Sequence, residues 1–336
     1  MPFQYSRRFS ALYKEASPLQ NCRRQTTRSG PLHLEMKKST SIQQVVSFAV
    51  LLANAIVGRC SLEVWPPFEG HLEYLQPGVA LASSRNSLSS YVAHKAWIPG
   101  DDNNYYYGVE ATLDVYGFNL QPGQLTEGGV WIASTGDGHP IPDNGIQIGW
   151  HIYPGMHKDS RTHFYVGWGA KGSPDKGCFN MVCPGFRKTS SSIAPGDVID
   201  PVSSINGTKQ YITVRVFKDK SSGDWHVHYG LNGPPKPVGY FPKSLLPAMI
   251  DRPVLLRFGG YAARKKPAPN PPMGNGYVPL SSTAALVSNL KLIDADGNDH
   301  IVNTDLPYFV TSKQCYPLSV VDSGQFFYGG PGCVDN

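Results

Sequence analysis

The nine residues Gly145-Ile146-Gln147-Ile148-Gly149-Trp150-His151-Ile152-Tyr153 decide the fold class. Ile146, Ile148, Trp150 and Ile152 alternate with Gln147, Gly149, His151 and Tyr153, and successive side chains of a strand point to opposite faces. The stretch therefore predicts a half-buried β-strand, with an apolar face inward and an amide, an imidazole and a phenol outward. Val254-Leu255-Leu256-Arg257-Phe258-Gly259-Gly260 is built the same way, with Val254, Leu256 and Phe258 inward and Leu255, Arg257 and Gly259 outward. These two strands are expected to line one cleft, with Gln147 and Arg257 on it.

The same alternation extends through the chain. From Tyr105, Val109, Ala111, Leu113 and Val115 alternate with Glu110, Thr112, Asp114 and Tyr116. Strands are further expected at Val130–Ala133, His163–Trp168, Tyr211–Lys218, Trp225–Leu231, Val254–Phe258 and Val287–Ile293, separated by Asn, Asp, Gly, Pro and Ser clusters. Only Pro242–Met249 suggests a helical turn. This composition points to an all-β domain, an antiparallel β-sandwich of two sheets. With 35 Gly, 29 Pro, 18 Tyr, 14 Phe and 6 Trp, the chain favours short strands and tight turns over helices, and carries enough aromatic mass to bury a core.

The formal charge of +5 is modest, and much of it precedes residue 40. The folded part shows only Arg264-Lys265-Lys266 as a basic run, which is not the basic stripe interleaved with aromatics that nucleic-acid binding needs. Met36-Lys37-Lys38, the apolar run Val45–Val57 and the small residues Ala53-Asn54-Ala55 read as an export signal. The apolar run is shorter than the roughly 20 residues of a membrane span. The domain reading is thus 1–35 a non-native or disordered extension, 36–58 a signal peptide, 59–104 a linker or short pro-segment, and 105–336 the sandwich. The expected location is extracellular, with an uncleaved signal-anchor as the alternative. Export permits disulfides among Cys178, Cys183, Cys315 and Cys333. Three pairings exist, and closing the two short loops is the simplest. Asn206-Gly207-Thr208 is a glycosylation sequon in a turn-rich stretch.

No Gly-x-Ser-x-Gly elbow, His-Glu-x-x-His helix or phosphate-binding glycine loop occurs. His226-Val227-His228 lacks an evident third metal ligand. Asp294-Ala295-Asp296-Gly297-Asn298-Asp299 has its glycine too early for a calcium loop and reads as a hairpin turn. No metal or cofactor is expected. His151, Tyr153, Tyr165 and Trp168 are candidate binding residues for a groove that takes a peptide or a sugar; the aromatics read equally as ordinary sandwich residues.

Seven segments in order carry a family resemblance: Tyr105-Tyr106-Tyr107-Gly108, Ile146-Gln147-Ile148-Gly149-Trp150, Gly177-Cys178-Phe179-Asn180-Met181-Val182-Cys183-Pro184-Gly185-Phe186, Gly239-Tyr240-Phe241-Pro242, Phe258-Gly259-Gly260, Met273-Gly274-Asn275-Gly276 and Phe327-Tyr328-Gly329-Gly330-Pro331-Gly332. Together they resemble the neprosin family, secreted glutamic endopeptidases that cleave after proline. The resemblance implies a β-sandwich with a cleft on its concave sheet, and disulfides Cys178–Cys183 and Cys315–Cys333. It also implies a catalytic dyad of two glutamates, at positions that match Gln147 and Arg257. Such a dyad needs one carboxylate to take a proton from water and one neutral acid to donate to the scissile carbonyl. A glutamine still donates, and the related eqolisin peptidases resemble a Gln/Glu pair. An arginine offers donors only and cannot be a base. The expectation is therefore a catalytically inactive, secreted domain whose groove binds proline-rich peptides or cell-wall polymers. The alternative is an active prolyl endopeptidase of atypical dyad, or a hydrolase rescued by His151 or Asp143. On either reading Arg257 is left to bind an acidic ligand or to pair with Glu110 or Asp114.

Overall fold

The computed structural model describes residues 87–96, 105–134, 144–170, 177–251, 254–279 and 283–333. The expected extension, signal and cleavage site, with Cys22, Cys60 and Asp143, lie outside these residues. Two antiparallel sheets face each other. The first contains β1 (Ser87–Ala96), β3 (Gln124–Ser134), β4 (Asn144–Ile152), β5 (His163–Ala170), β6 (Gly177–Phe179), β11 (Val254–Lys265) and β14 (Tyr308–Val310), in the order β14-β1-β11-β3-β4-β5-β6. The second contains β2 (Tyr106–Asp114), β7 (Arg187–Lys188), β8 (Tyr211–Lys218), β9 (Trp225–Leu231), β10 (Lys236–Phe241), β12 (Ala285–Asp294) and β13 (Asp299–Ile301). Its order is β13-β12-β2-β8-β9-β10-β7, and β15 (Phe326–Tyr328) also pairs with β12. The single α-helical turn among the described residues is α1 (Pro154–His157), and two 3-10 turns fall at Lys243–Leu245 and Pro247–Met249, where the prolines permit them.

The core lies between the sheets and follows the alternation read from the sequence. Ile146, Ile148, Trp150 and Ile152 meet Val254, Leu256 and Phe258 from one sheet and Val109, Ala111, Leu113, Val214 and Val216 from the other, all buried. Every predicted strand is present. Within residues 59–104, expected to be a linker or short pro-segment, Ser87–Ala96 forms a strand. That segment is a full strand paired with β11 along its length and with β14 over Val92–His94. Three serines in its first four residues hide the strand, and its consecutive Tyr91, Val92 and Ala93 show no alternation.

A second departure concerns the other face of the first sheet. The alternation predicted half-buried strands, yet β3 and β4 are buried on both faces. Tyr91, Ala93, Leu125, Trp131, Tyr153, Tyr261 and Ala263 pack there into a second apolar layer, against which Met156 of α1 rests. Met156 also packs on Tyr165 and Phe179, so α1 covers this outer face on two sides.

Two disulfides, Cys178–Cys183 and Cys315–Cys333, close the short loops. Asn206, at the sequon, is exposed with a left-handed backbone (φ 61°). The Asp294–Asn298 segment is the hairpin turn between β12 and β13, its Asp294 carboxylate accepting from the Asp296 and Asn298 amides and paired with His300. His226 stacks between Phe217 and Tyr240 on the second sheet.

Candidate functional site

Strand register assembles the site. On β4, Gln147 pairs with Trp131 of β3, and Trp131 pairs on its other side with Arg257 of β11. All three point away from the core, so amide, indole and guanidinium form one row across three strands. At about 4.8 Å per strand, Gln147 and Arg257 stand roughly 9–10 Å apart at the backbone, with Trp131 between them. Gln147 fits because its other neighbour, Gly167 of β5, has no side chain: a Cβ there would lie 2.8 Å from Gln147 Cγ.

Two rungs along runs a second polar row: His163 of β5, His151 of β4, Glu127 of β3, Tyr261 of β11 and Tyr91 of β1. The row between them is Tyr165, Gly149, Gly129, Gly259 and Ala93. This glycine floor lets the Tyr165 ring lie across the sheet; a Cβ on Gly129 would sit 3.2 Å from its hydroxyl. Tyr165 thereby reaches Glu127, whose other polar neighbour is the Trp131 indole N–H. The indole is satisfied by this contact, whereas the Tyr165 hydroxyl has no hydrogen bond of regular geometry.

Among the described residues, Glu127 is the carboxyl carried by the strands of this face, 4 % exposed. Burial raises its pKa to about 8, against the weaker opposing pull of the Tyr165 and Trp131 hydrogen bonds. At neutral pH it is predominantly a neutral acid. Tyr91 lies beside the Arg257 guanidinium, and burial pushes its phenol up despite that cation.

Beside Glu127 stands a column of imidazoles. His151 Nε2 and His157 Nε2 are 2.7 Å apart, one ring donating to the other. His157 stacks on His163 at 3.7 Å, and His163 is fixed by the Gly196 carbonyl (2.8 Å) and the Asp159 carboxylate (3.0 Å). His151 itself stacks on Tyr165 at 4.4 Å. Burial, then the neighbouring imidazoles, hold His151 well below the ordinary histidine range, and bring His157 to about 4. Both rings are neutral at pH 7. No three metal-binding side chains converge among the described residues.

A family model described as Neprosin matches residues 122–331. The chain belongs to the neprosin family. Among solved structures, this neprosin-family chain is similar to scytalido-glutamic peptidase bound to a transition-state analogue inhibitor, at 11 % identity and a TM-score of 0.39, covering 73 % of this chain and 98 % of that one. It is also similar to SCP-B, a member of the eqolisin family of peptidases in complex with the tripeptide Ala-Ile-His, at 11 % identity and a TM-score of 0.32, covering 73 % and 97 %. A Bacteroides ovatus mixed-linkage glucan GH16 protein follows at 12 % identity, a TM-score of 0.30 and coverage of 53 % and 68 %. At these scores the likenesses bear on neither substrate nor chemistry.

Of the residues singled out in the sequence, the neprosin-family fold brings Gln147, Arg257, His151, Tyr153 and Tyr165 to one face. Trp168 is on the other: it belongs to the core layer and packs beneath Gly185, whose Cβ would strike its indole. Arg257 does not pair with Glu110 or Asp114. Those acids lie on the second sheet, where Glu110 binds Arg215 (3.0 Å) and Lys291 (2.9 Å), and Asp114 binds Lys209 (2.6 Å). His151 is four residues from Gln147, about 13 Å along the strand, too far to act with it directly. Glu127, Trp131, Tyr91, His157 and His163 escaped the sequence reading. The expected strand Val130–Ala133 covers only the end of β3 (Gln124–Ser134), so the outward alternation of Leu125, Glu127, Gly129 and Trp131 falls mostly outside it. His157 and His163 join the site only through α1 and the β4–β5 register.

Proposed function

We propose that this neprosin-family domain has lost peptide hydrolysis and uses the Gln147–Trp131–Arg257 face for binding a peptide or an extracellular polymer. One observation carries the reading: the row that sets Gln147 opposite Arg257 contains an amide, an indole and a guanidinium, and no carboxylate. General-base help is worth about 100- to 10,000-fold in such reactions. An arginine withdraws it at every working pH. Glu127 is two rungs away, buried and neutral, and donates or accepts a hydrogen bond without supplying a base at pH 7.

The two disulfides and the exposed sequon at Asn206 support an extracellular setting. Among the described residues no helix is long and apolar enough to cross a membrane. The test is hydrolysis of proline-containing peptides by the purified full chain from pH 2 to 8. No turnover is expected, and gain of turnover in the double variant Gln147→Glu, Arg257→Glu would show the remaining scaffold competent. Turnover in the native chain that Gln147→Ala abolishes would sink the proposal.

Glu127 favours a second reading, an atypical acid-dependent hydrolase. A carboxyl held protonated to about pH 8 is a ready proton donor. Activity lost in Glu127→Gln and indifferent to Gln147 would establish it.

A further inference from the structure

We infer that the Gln147–Trp131–Arg257 row recognises the terminal carboxylate of a peptide. The inference rests on the binding reading above and names its ligand. Its basis is a set of donors without acceptors. Arg257 is partly buried, and its Nε is buried with no hydrogen-bond partner. No carboxylate lies within ion-pair distance of it among the described residues. Its polar neighbour there is Tyr91, whose buried hydroxyl oxygen takes a hydrogen bond from the guanidinium and whose own proton has no acceptor among the described residues. Gln147, across Trp131, is 5 % exposed, and its amide makes no hydrogen bond among the described residues.

Buried polar groups in folded proteins are nearly always paired, and a partly buried cation without a counter-charge is costly. The Arg257 Nε–H, the Tyr91 O–H and the Gln147 amide, none of which has an acceptor among the described residues, therefore mark a place built for one. A positive fork with phenol and amide donors selects an anion, and a carboxylate matches the guanidinium with two parallel hydrogen bonds. Glu127 does not compete for Arg257: its neighbours are Tyr165 and Trp131, and its carboxyl carries no charge at neutral pH.

Burial decides between an end and the middle of a chain. Trp131 is 2 % exposed, so the row admits a small terminal group rather than a polymer laid along the sheet. In this arrangement the terminal carboxylate sits on Arg257 and accepts from Tyr91. The Gln147 amide donates to the preceding peptide carbonyl.

Calorimetric titration of the full chain at pH 7 with a free-acid tripeptide, and with the same tripeptide amidated at its C-terminus, tests this. The free acid is expected to bind at least about tenfold more tightly than the amide, the size of one charge-assisted hydrogen bond. Arg257→Gln should remove that preference, and Arg257→Lys, which keeps the charge without the fork, should retain part of it. A ligand-induced rise in melting temperature in the native chain but not in Arg257→Gln separates lost binding from lost folding. Equal binding of acid and amide overturns the carboxylate assignment while leaving a peptide-binding domain. Binding of an oligogalacturonate with neither peptide overturns the peptide assignment, and absence of all binding overturns the inference as a whole. Cleavage of the tripeptide would instead overturn the non-hydrolytic reading on which it rests.

Discussion

Glu127 must stay protonated in the folded chain up to about pH 8, whereas in the unfolded chain it ionises near 4.5. Between these values the unfolded state has released the proton that the folded state keeps, so this residue makes stability fall as pH rises from 4.5 and level off above 8. Glu127→Gln keeps an acceptor for the Trp131 indole and removes the titration. It is expected to raise unfolding free energy by on the order of 2–3 kcal/mol at pH 7 and to change little at pH 4, as urea unfolding at the two pH values would show. His157 works in the opposite sense. Its folded pKa of about 4 lies below the unfolded 6.5, so the stability tied to its neutral form is complete above 6.5 and is lost as pH falls towards 4. His151 adds to this slope, because it shares the hydrogen bond and is lowered too. His157→Gln should therefore flatten, without abolishing, the drop in melting temperature between pH 6.5 and 4. An unchanged drop would mean that the imidazole column does not govern acid sensitivity.

At the scale of elements, β1 has the largest consequence. It fills the position between β14 and β11, and its His94 ring reaches the carbonyls of Leu306 (3.1 Å) and Ser319 (2.8 Å) across the core. A chain begun at Tyr105, the boundary suggested by composition, would lack this strand and expose the backbone of β11 as a long edge. Such a chain is expected to be insoluble or aggregated in gel filtration, whereas one begun before Ser87 stays monodisperse. Equal behaviour of the two would show that β1 is dispensable. α1 has a different role. It is a single turn whose Met156 packs on two aromatic clusters and whose His157 closes the imidazole column.

Across the whole molecule, stability rests on the layer between the sheets, and Trp150 is among its largest wholly buried side chains. Trp150→Ala should cost about 3–5 kcal/mol in denaturant unfolding, through lost burial and the cavity left behind. A much smaller loss would mean that the two sheets close the gap. Alternation along single segments was enough to determine the strands, their inward residues and hence the two-sheet class, because the side-chain period of a strand is local. The family was legible as well, in short segments spread from Tyr105 to Gly332 and matched over 122–331. Tertiary structure alone decided which strands became neighbours, and thus that Trp131 separates Gln147 from Arg257 and that Glu127 shares their sheet face. It also decided that this face is itself buried, with the Tyr165 ring reaching over Gly129 and Tyr91, Trp131 and Tyr153 packed beside it. Lateral pairing joins residues more than a hundred positions apart, and the burial that shifts Glu127 and the histidines exists only after those strands have met.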